Sequence, residues 1–196
     1  MNLLAAIPRV LLFAAAALVQ AGLIAVMVQD RVRVLRAGTE VTLQTRPVDP
    51  RDFLRGDYVV LTYEISNVPA GALKGAPAAG RNTPVFVKLA PKPDGIYEAL
   101  SVHLEPVPVS GRELLIRGQV AGGASCGEAA RRAFCDRIQV TYGIERYFVP
   151  EGEGRGIESA RNEGKVLIVA AVMPDGRAAI KRLLLDGKPV YDEPLY

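Results

Sequence analysis

Gly56 to Ser66 reads GDYVVLTYEIS, the strongest strand signal in the chain. Val59, Leu61, Tyr63 and Ile65 alternate with Tyr58, Val60, Thr62 and Glu64, so a pleated strand sends the first set to one face and the second to the other. Glycine reaches positive φ without steric cost, and an aspartate can bond nearby backbone amides. Gly56 and Asp57 therefore read as the turn that launches the strand.

The same pattern recurs on both sides. Thr39–Thr45, TEVTLQT, puts Val41 and Leu43 on one face, and the charged Arg46–Arg55 after it reads as a loop with a helical turn. Downstream, Val85–Ala90, the turn PKPDG and Ile96–His103 form a hairpin, and Arg112–Val120 and Arg137–Phe148 are further strands. Lys165–Met173, the turn PDG and Arg177–Leu185 form another hairpin, closed by a turn at Asp186-Gly187. Asn67–Asn82 is rich in Gly, Pro and Ala and reads as a surface loop; Pro150–Gly164 is a charged loop with a short helix over Ile157–Asn162. Short strands separated by Gly/Pro turns predict a mostly β fold, an antiparallel sandwich or open barrel with one or two short helices.

Ahead of these strands, Val10–Val28 is VLLFAAAALVQAGLIAVMV, uncharged and with Gln20 its one plainly polar side chain. Nineteen residues at about 1.5 Å each reach roughly 28 Å, near the hydrocarbon thickness of a bilayer. A cleaved signal peptide with Val19-Gln20-Ala21 at its cleavage site is one alternative, and a buried soluble helix is another. The apolar run continues past Ala21 to Val28, which favours a retained transmembrane anchor in contact with lipid. The expected division is an anchor over residues 1–29, a juxtamembrane linker over 30–38 and a β-rich domain over 39–196.

Orientation is read from two opposed signals. Arg9 and the amino terminus precede the span, whereas Arg31, Arg33 and Arg36 follow it, a count that places the domain in the cytoplasm. Long domains, however, cross largely regardless of flanking charge, and a first helix serves as an export signal. Cys126 and Cys135 lean the same way. They flank eight residues of a Gly/Ala-rich loop, where a disulfide would stabilise by about 2–3 kcal/mol in an oxidising compartment; two unrelated thiols are the alternative. The expectation is a single-pass protein of the inner membrane with a periplasmic domain.

Lys and Arg total 24 against 21 Asp and Glu, with the signs interspersed beyond Asp30. A nucleic-acid surface needs a clustered basic face, so no nucleic-acid partner is expected. The only histidine, His103, stands on a strand far from both cysteines, which leaves no zinc set. Glu145, Glu151, Glu153 and Glu158 lack the close Asp/Asn alternation of calcium loops and read as a solvated loop. No metal, cofactor or catalytic set is expected.

Two segments carry a resemblance. Pro47–Ile65, PVDPRDFLRGDYVVLTYEI, contains Gly56, Asp57, Tyr58, Leu61 and Tyr63 in the spacing of the GDYXXLXY family of membrane-anchored bacterial proteins. Tyr142–Glu158, YGIERYFVPEGEGRGIE, is similar to that family's second recurring block through Tyr142, Gly143, Glu151, Gly152 and Glu158. The resemblance implies an N-terminal anchor, an extracytoplasmic domain and no established activity. Such proteins are often encoded near multi-pass membrane proteins, which makes a multi-pass protein the implied partner.

Read from its residues, the first block is structural. Asp49, Arg51, Asp52, Arg55 and Asp57 form either an ion-pair network bracing the loop or a binding patch, with paired-carboxylate catalysis the remaining alternative. Pro50–Val59 also resembles the strand that follows the nucleophile of type I signal peptidases. Pro47 stands at the nucleophile's place, and a Ser–Lys mechanism needs a hydroxyl there, so that activity is excluded. The sequence points to a non-enzymatic interaction domain contacting another membrane or envelope component; the rival is a ligand-binding or hydrolase domain using the Asp49–Tyr63 block.

Overall fold

The computed structural model describes residues 9–47, 58–69, 73–74, 80–122, 137–148, 157 and 160–193. Asp49, Arg51, Asp52, Arg55, Gly56, Asp57, Cys126, Cys135, Glu151, Gly152 and Glu158 lie outside the described residues, as does the side chain of Tyr58.

The apolar run folds as one helix, α1 (Arg9–Ala37), and its segment from Val10 onward is long and apolar enough to cross a membrane. Every residue from Val10 to Asp30 is exposed. The stretch expected as a linker is helical to Ala37, and it docks. Val34 and Leu35 are buried with Ala179 and the edge of Met173, while Asp30 and Arg31 pair with Arg177 and Glu193. Gly38 then turns the chain straight into the first strand, its amide donating to the Val34 carbonyl at 2.9 Å.

A five-stranded sheet receives that turn. Its order is β13 (Lys188–Asp192), β12 (Ala178–Leu185), β11 (Val166–Val172), β1 (Thr39–Arg46) and β3 (Thr62–Tyr63). β1 and β11 are antiparallel, with Val41 opposite Ala170 and Leu43 opposite Ile168, all buried. The β12–β13 hairpin turns on Asp186-Gly187, both at positive φ, the two-residue geometry that matches strand twist. A second sheet has six strands in the order β4 (Asn67–Pro69), β9 (Arg137–Thr141), β8 (Leu114–Gly122), β6 (Pro84–Pro91), β7 (Tyr97–His103) and β5 (Leu73–Lys74). β2 (Tyr58–Val60) and β10 (Arg146–Phe148) make a separate two-stranded ribbon. Among the described residues pairing is antiparallel except between β5 and β7 and at an isolated bridge from Thr42 to Ile96. One sheet is barrel-like and nearly closed, and the sheets share a core that includes Leu43, Leu61, Leu89, Ile116, Ile138 and Ile168.

The fold is mostly β with an N-terminal apolar helix, as the sequence predicts, and residues 160–162 are helical. Four expectations need correction. The run Gly56–Ser66 is not one strand: its described part divides into β2, β3 and a 3-10 turn at Glu64–Ser66, and β4 follows directly. β2 pairs with β10, β3 with β1 and β4 with β9, so this short stretch passes through all three sheets. A chain that changes sheets has to bend, and the breaks at Leu61 and at the 3-10 turn are those bends. Its alternation survives: Val59, Leu61, Tyr63 and Ile65 are all buried, whereas Val60 and Glu64 are exposed.

The second correction is that Asn67–Asn82 contains β4 and β5; buried Val68 gives β4 its reason to pair. In the third, Arg137–Phe148 breaks between β9 and β10 because the chain leaves the six-stranded sheet for the ribbon. Finally, the strand β13 follows the turn where the sequence reading stopped.

Candidate functional site

The two sequence blocks meet face to face. β2 and β10 pair with Tyr58 opposite Phe148, Val59 opposite Tyr147 and Val60 opposite Arg146, and the Leu61 amide extends the ladder to the Glu145 carbonyl at 2.8 Å. Beyond the ladder, two buried tyrosines cross-link the blocks in opposite directions. The Tyr63 hydroxyl donates to the Ile144 carbonyl, and the Tyr142 hydroxyl donates to the Ile65 carbonyl. Each tyrosine thus fills the core with its ring and satisfies a buried carbonyl on the other block, which an apolar side chain leaves unpaired.

The turn between β9 and β10 is held by one carboxylate. Glu145 accepts from the amides of Tyr142 and Gly143, the latter at 2.9 Å, and Gly143 takes the positive φ this tight turn requires. Room for the Tyr142 ring comes from Gly118 on β8. A Cβ there would stand 3.0 Å from the Tyr142 ring, 2.8 Å from the Thr141 carbonyl oxygen and 2.5 Å from Val140. Arg161, 2% exposed, reaches from residues 160–162 to donate to the Val60 carbonyl and to the side chain of Asn162.

Burial drives the proton affinity of both tyrosines up, and the Glu145 carboxylate pushes in the same direction. Tyr147, buried and near Glu193 and Asp192, is pushed up to about 12, again chiefly by burial. An unfolded phenol loses its proton near pH ~10 while these folded ones retain theirs. Above that pH the unfolded state binds fewer protons than the native one, so stability falls as pH rises. In an absorbance titration of tyrosinate, Tyr63 and Tyr142 are therefore expected to ionise only as the domain unfolds. Tyr63→Phe removes one of these late-ionising groups. Ionisation of all tyrosines near pH ~10 in a still-folded protein contradicts the clasp.

Next to the clasp, the base of α1 and the strand ends enclose a cleft of 530 Å3 lined by Met27, Asp30, Arg117, Tyr142, Glu145 and Arg177. Arg177 holds both carboxylate oxygens of Asp30, at 2.6 and 2.7 Å, and also Asp175 at 2.7 Å. A neighbouring cleft of 570 Å3 shares Arg31 and Gly143 and adds Arg146, Phe148 and Glu193. Among the described residues, no group of three His, Cys, Asp or Glu side chains is placed to hold a metal ion.

The profile of the GDYXXLXY protein family matches residues 20–183. The chain belongs to the GDYXXLXY family. No curated protein and no solved structure matches it. In this GDYXXLXY protein the described motif residues Leu61 and Tyr63 are buried, and Tyr63 meets Ile144 beside Tyr142 and Gly143 of the second block. The charged residues Asp49, Arg51, Asp52, Arg55 and Asp57 lie outside the described residues. Sequence reasoning missed Arg161, Glu145 as the turn's clamp, and Gly118. For Gly118 a signal was present, a glycine interrupting the strand pattern of Arg112–Val120, which marks a close approach. Arg161 carried none, because one arginine in a charged Gly-rich stretch is indistinguishable from its solvated neighbours.

Proposed function

We propose that this GDYXXLXY protein is a single-pass inner-membrane protein whose β domain faces the periplasm and acts, without catalysis, as an interaction domain for another membrane or envelope component. The observation that carries the reading is the junction at the helix base. α1 runs unbroken from its exposed apolar face into the buried Val34 and Leu35, and at Gly38 enters β1 without a flexible tether. A domain joined this way is presented to its surroundings in one orientation, which suits a fixed contact with a membrane neighbour. The described end of the Asp49–Tyr63 block also favours interaction over a ligand-binding or hydrolase role. Leu61 and Tyr63 are spent on the core and the clasp.

The test is fractionation followed by crosslinking. Full-length protein is expected to stay with membranes through carbonate extraction, and deletion of Asn2–Val28 is expected to release a soluble, folded domain. Crosslinking in intact membranes and affinity purification should then recover a multi-pass membrane protein with the full-length chain. Full-length protein in the soluble fraction sinks the anchor; recovery of the chain alone sinks the interaction role.

A further inference from the structure

The depth of the helix base relative to a bilayer follows from its length. Val10–Val28 spans roughly 28 Å against a hydrocarbon core of about 30 Å, with headgroups adding roughly 5–8 Å on each side. Asp30 and Arg31 follow Val28 within one helical turn, so they stand at the level of the headgroups. Whatever touches them stands there too. Arg177 is 2.6 Å from Asp30, Glu193 is 3.4 Å from Arg31, and the cleft wall that includes Arg117 also includes Met27 of the apolar run. This end of the β domain therefore meets the bilayer surface.

The chemistry at that level suits an anionic surface. Arg31 and Arg177 are occupied by Glu193 and Asp30. Arg117 is exposed, and its guanidinium has no acidic partner among the described residues. Its backbone is fixed, the amide donating to the Gly176 carbonyl at 2.7 Å, so the side chain starts from a defined point on the cleft wall. In the adjoining cleft, Phe148 is 74% exposed. A large aromatic side chain is unfavourable in water and favourable at the boundary between headgroups and acyl chains. A guanidinium binds phosphate through paired donors.

We propose that these juxtamembrane clefts bind the phosphate headgroups of anionic membrane lipid, with Arg117 as the phosphate ligand and Phe148 seated at the acyl boundary. The proposal rests on the reading of α1 as a bilayer anchor. The domain then sits on the lipid surface and is held there by lipid chemistry as well as by its helix.

The chain has no tryptophan, so Phe148→Trp introduces a single indole. Full-length protein carrying that substitution is reconstituted in bilayers with brominated acyl chains, and phosphatidylglycerol is raised stepwise against phosphatidylcholine. The indole is expected to be quenched, and increasingly so with phosphatidylglycerol. Adding Arg117→Gln should raise the phosphatidylglycerol fraction needed for half-maximal quenching about fivefold, the scale of one arginine at an anionic surface. Adding Lys188→Gln instead, at the far end of the β12–β13 hairpin, should leave it unchanged. A Leu18→Trp protein in the same bilayers reports on the anchor itself. If the Leu18→Trp indole is quenched and the Phe148→Trp indole is not, the lipid contact is overturned while the anchor stands. If neither is quenched, the anchor reading has failed and the proposal falls with it. Quenching indifferent to phosphatidylglycerol, or shifted alike by Arg117→Gln and Lys188→Gln, overturns the headgroup assignment.

Discussion

Tyr63→Ala is expected to destabilise the β domain by about 3–5 kcal/mol, the usual scale for removing a fully buried aromatic ring. Tyr63 is among the largest side chains buried without residue of exposure, so its loss opens a cavity where β3 joins the five-stranded sheet. Tyr63→Phe isolates the hydroxyl. The ring stays, the Ile144 carbonyl loses its donor, and the expected cost is about 1–3 kcal/mol. Tyr142→Phe should cost a similar amount through the Ile65 carbonyl. Because both hydroxyls join the same two segments, the paired substitution is expected to depart from additivity by about 0.5–3 kcal/mol. Urea unfolding of the full-length protein in detergent measures all four. A Tyr63→Phe protein as stable as the wild type shows that the Ile144 carbonyl finds another partner, and the clasp then has no energetic meaning.

The clasp also shows why a correct strand pattern can hide a wrong strand. Alternation reports which side chains face the core, and for Val59, Leu61, Tyr63 and Ile65 it reported correctly. It carries no information about which neighbour the backbone pairs with, because hydrogen-bond partners are main-chain groups shared by every residue. The three-way division of that run follows from the chain pairing into three different sheets between Tyr58 and Pro69, which has no local signature, whereas the split of Arg137–Phe148 at Tyr142–Glu145 falls at Gly143, whose positive φ marks the turn. Turns were legible for the opposite reason. Lys92–Gly95, Pro174–Gly176 and Asp186-Gly187 announce themselves through residue types that tolerate the required backbone. For β4 and β5 the Gly/Pro/Ala composition of their surroundings outweighed a buried Val68 that only a long-range partner makes visible. At the candidate site the tyrosines were legible as motif residues, whereas Arg161 acquires its role only when the distant Val60 carbonyl arrives beside it; Glu145 clamps amides two and three residues before it but reads in the sequence as one of several solvated glutamates.

Gly38→Val is expected to loosen the joint that holds the β domain in a fixed bearing on α1. The position lies between the last turn of α1 and the first residue of β1, and it has no space for a side chain. A Cβ would stand 2.7 Å from the Val34 carbonyl oxygen, 2.9 Å from the Ala171 Cβ and 2.9 Å from the Val172 amide nitrogen. Two of those three neighbours are backbone, which cannot rotate away, so the strain has to be relieved by moving the helix or the sheet. Overpacking of this kind costs about 1–3 kcal/mol or more. The five-stranded sheet is tied along β1 and β11 by a continuous ladder, whereas the helix base is held by Val34, Leu35 and exposed ion pairs. The weaker attachment should give way first. Arg31, Arg33 and Arg36 all lie on the docked turns, and a protease cutting after arginine needs those turns to open. Cleavage that follows the open population should accelerate about tenfold for each 1.4 kcal/mol of lost docking. Limited trypsin digestion of the full-length protein in bilayers, with Gly22→Ala as a control at a helix glycine with open space around it, measures the rate. Faster cleavage in Gly38→Val with an unchanged urea midpoint for the domain places the strain at the joint. Unchanged cleavage with a lowered midpoint places it in the sheet instead, and the helix base is then the stronger of the two attachments. Neither change would mean that the corner has room the geometry denies, and the rigid presentation of the domain would lose its structural basis.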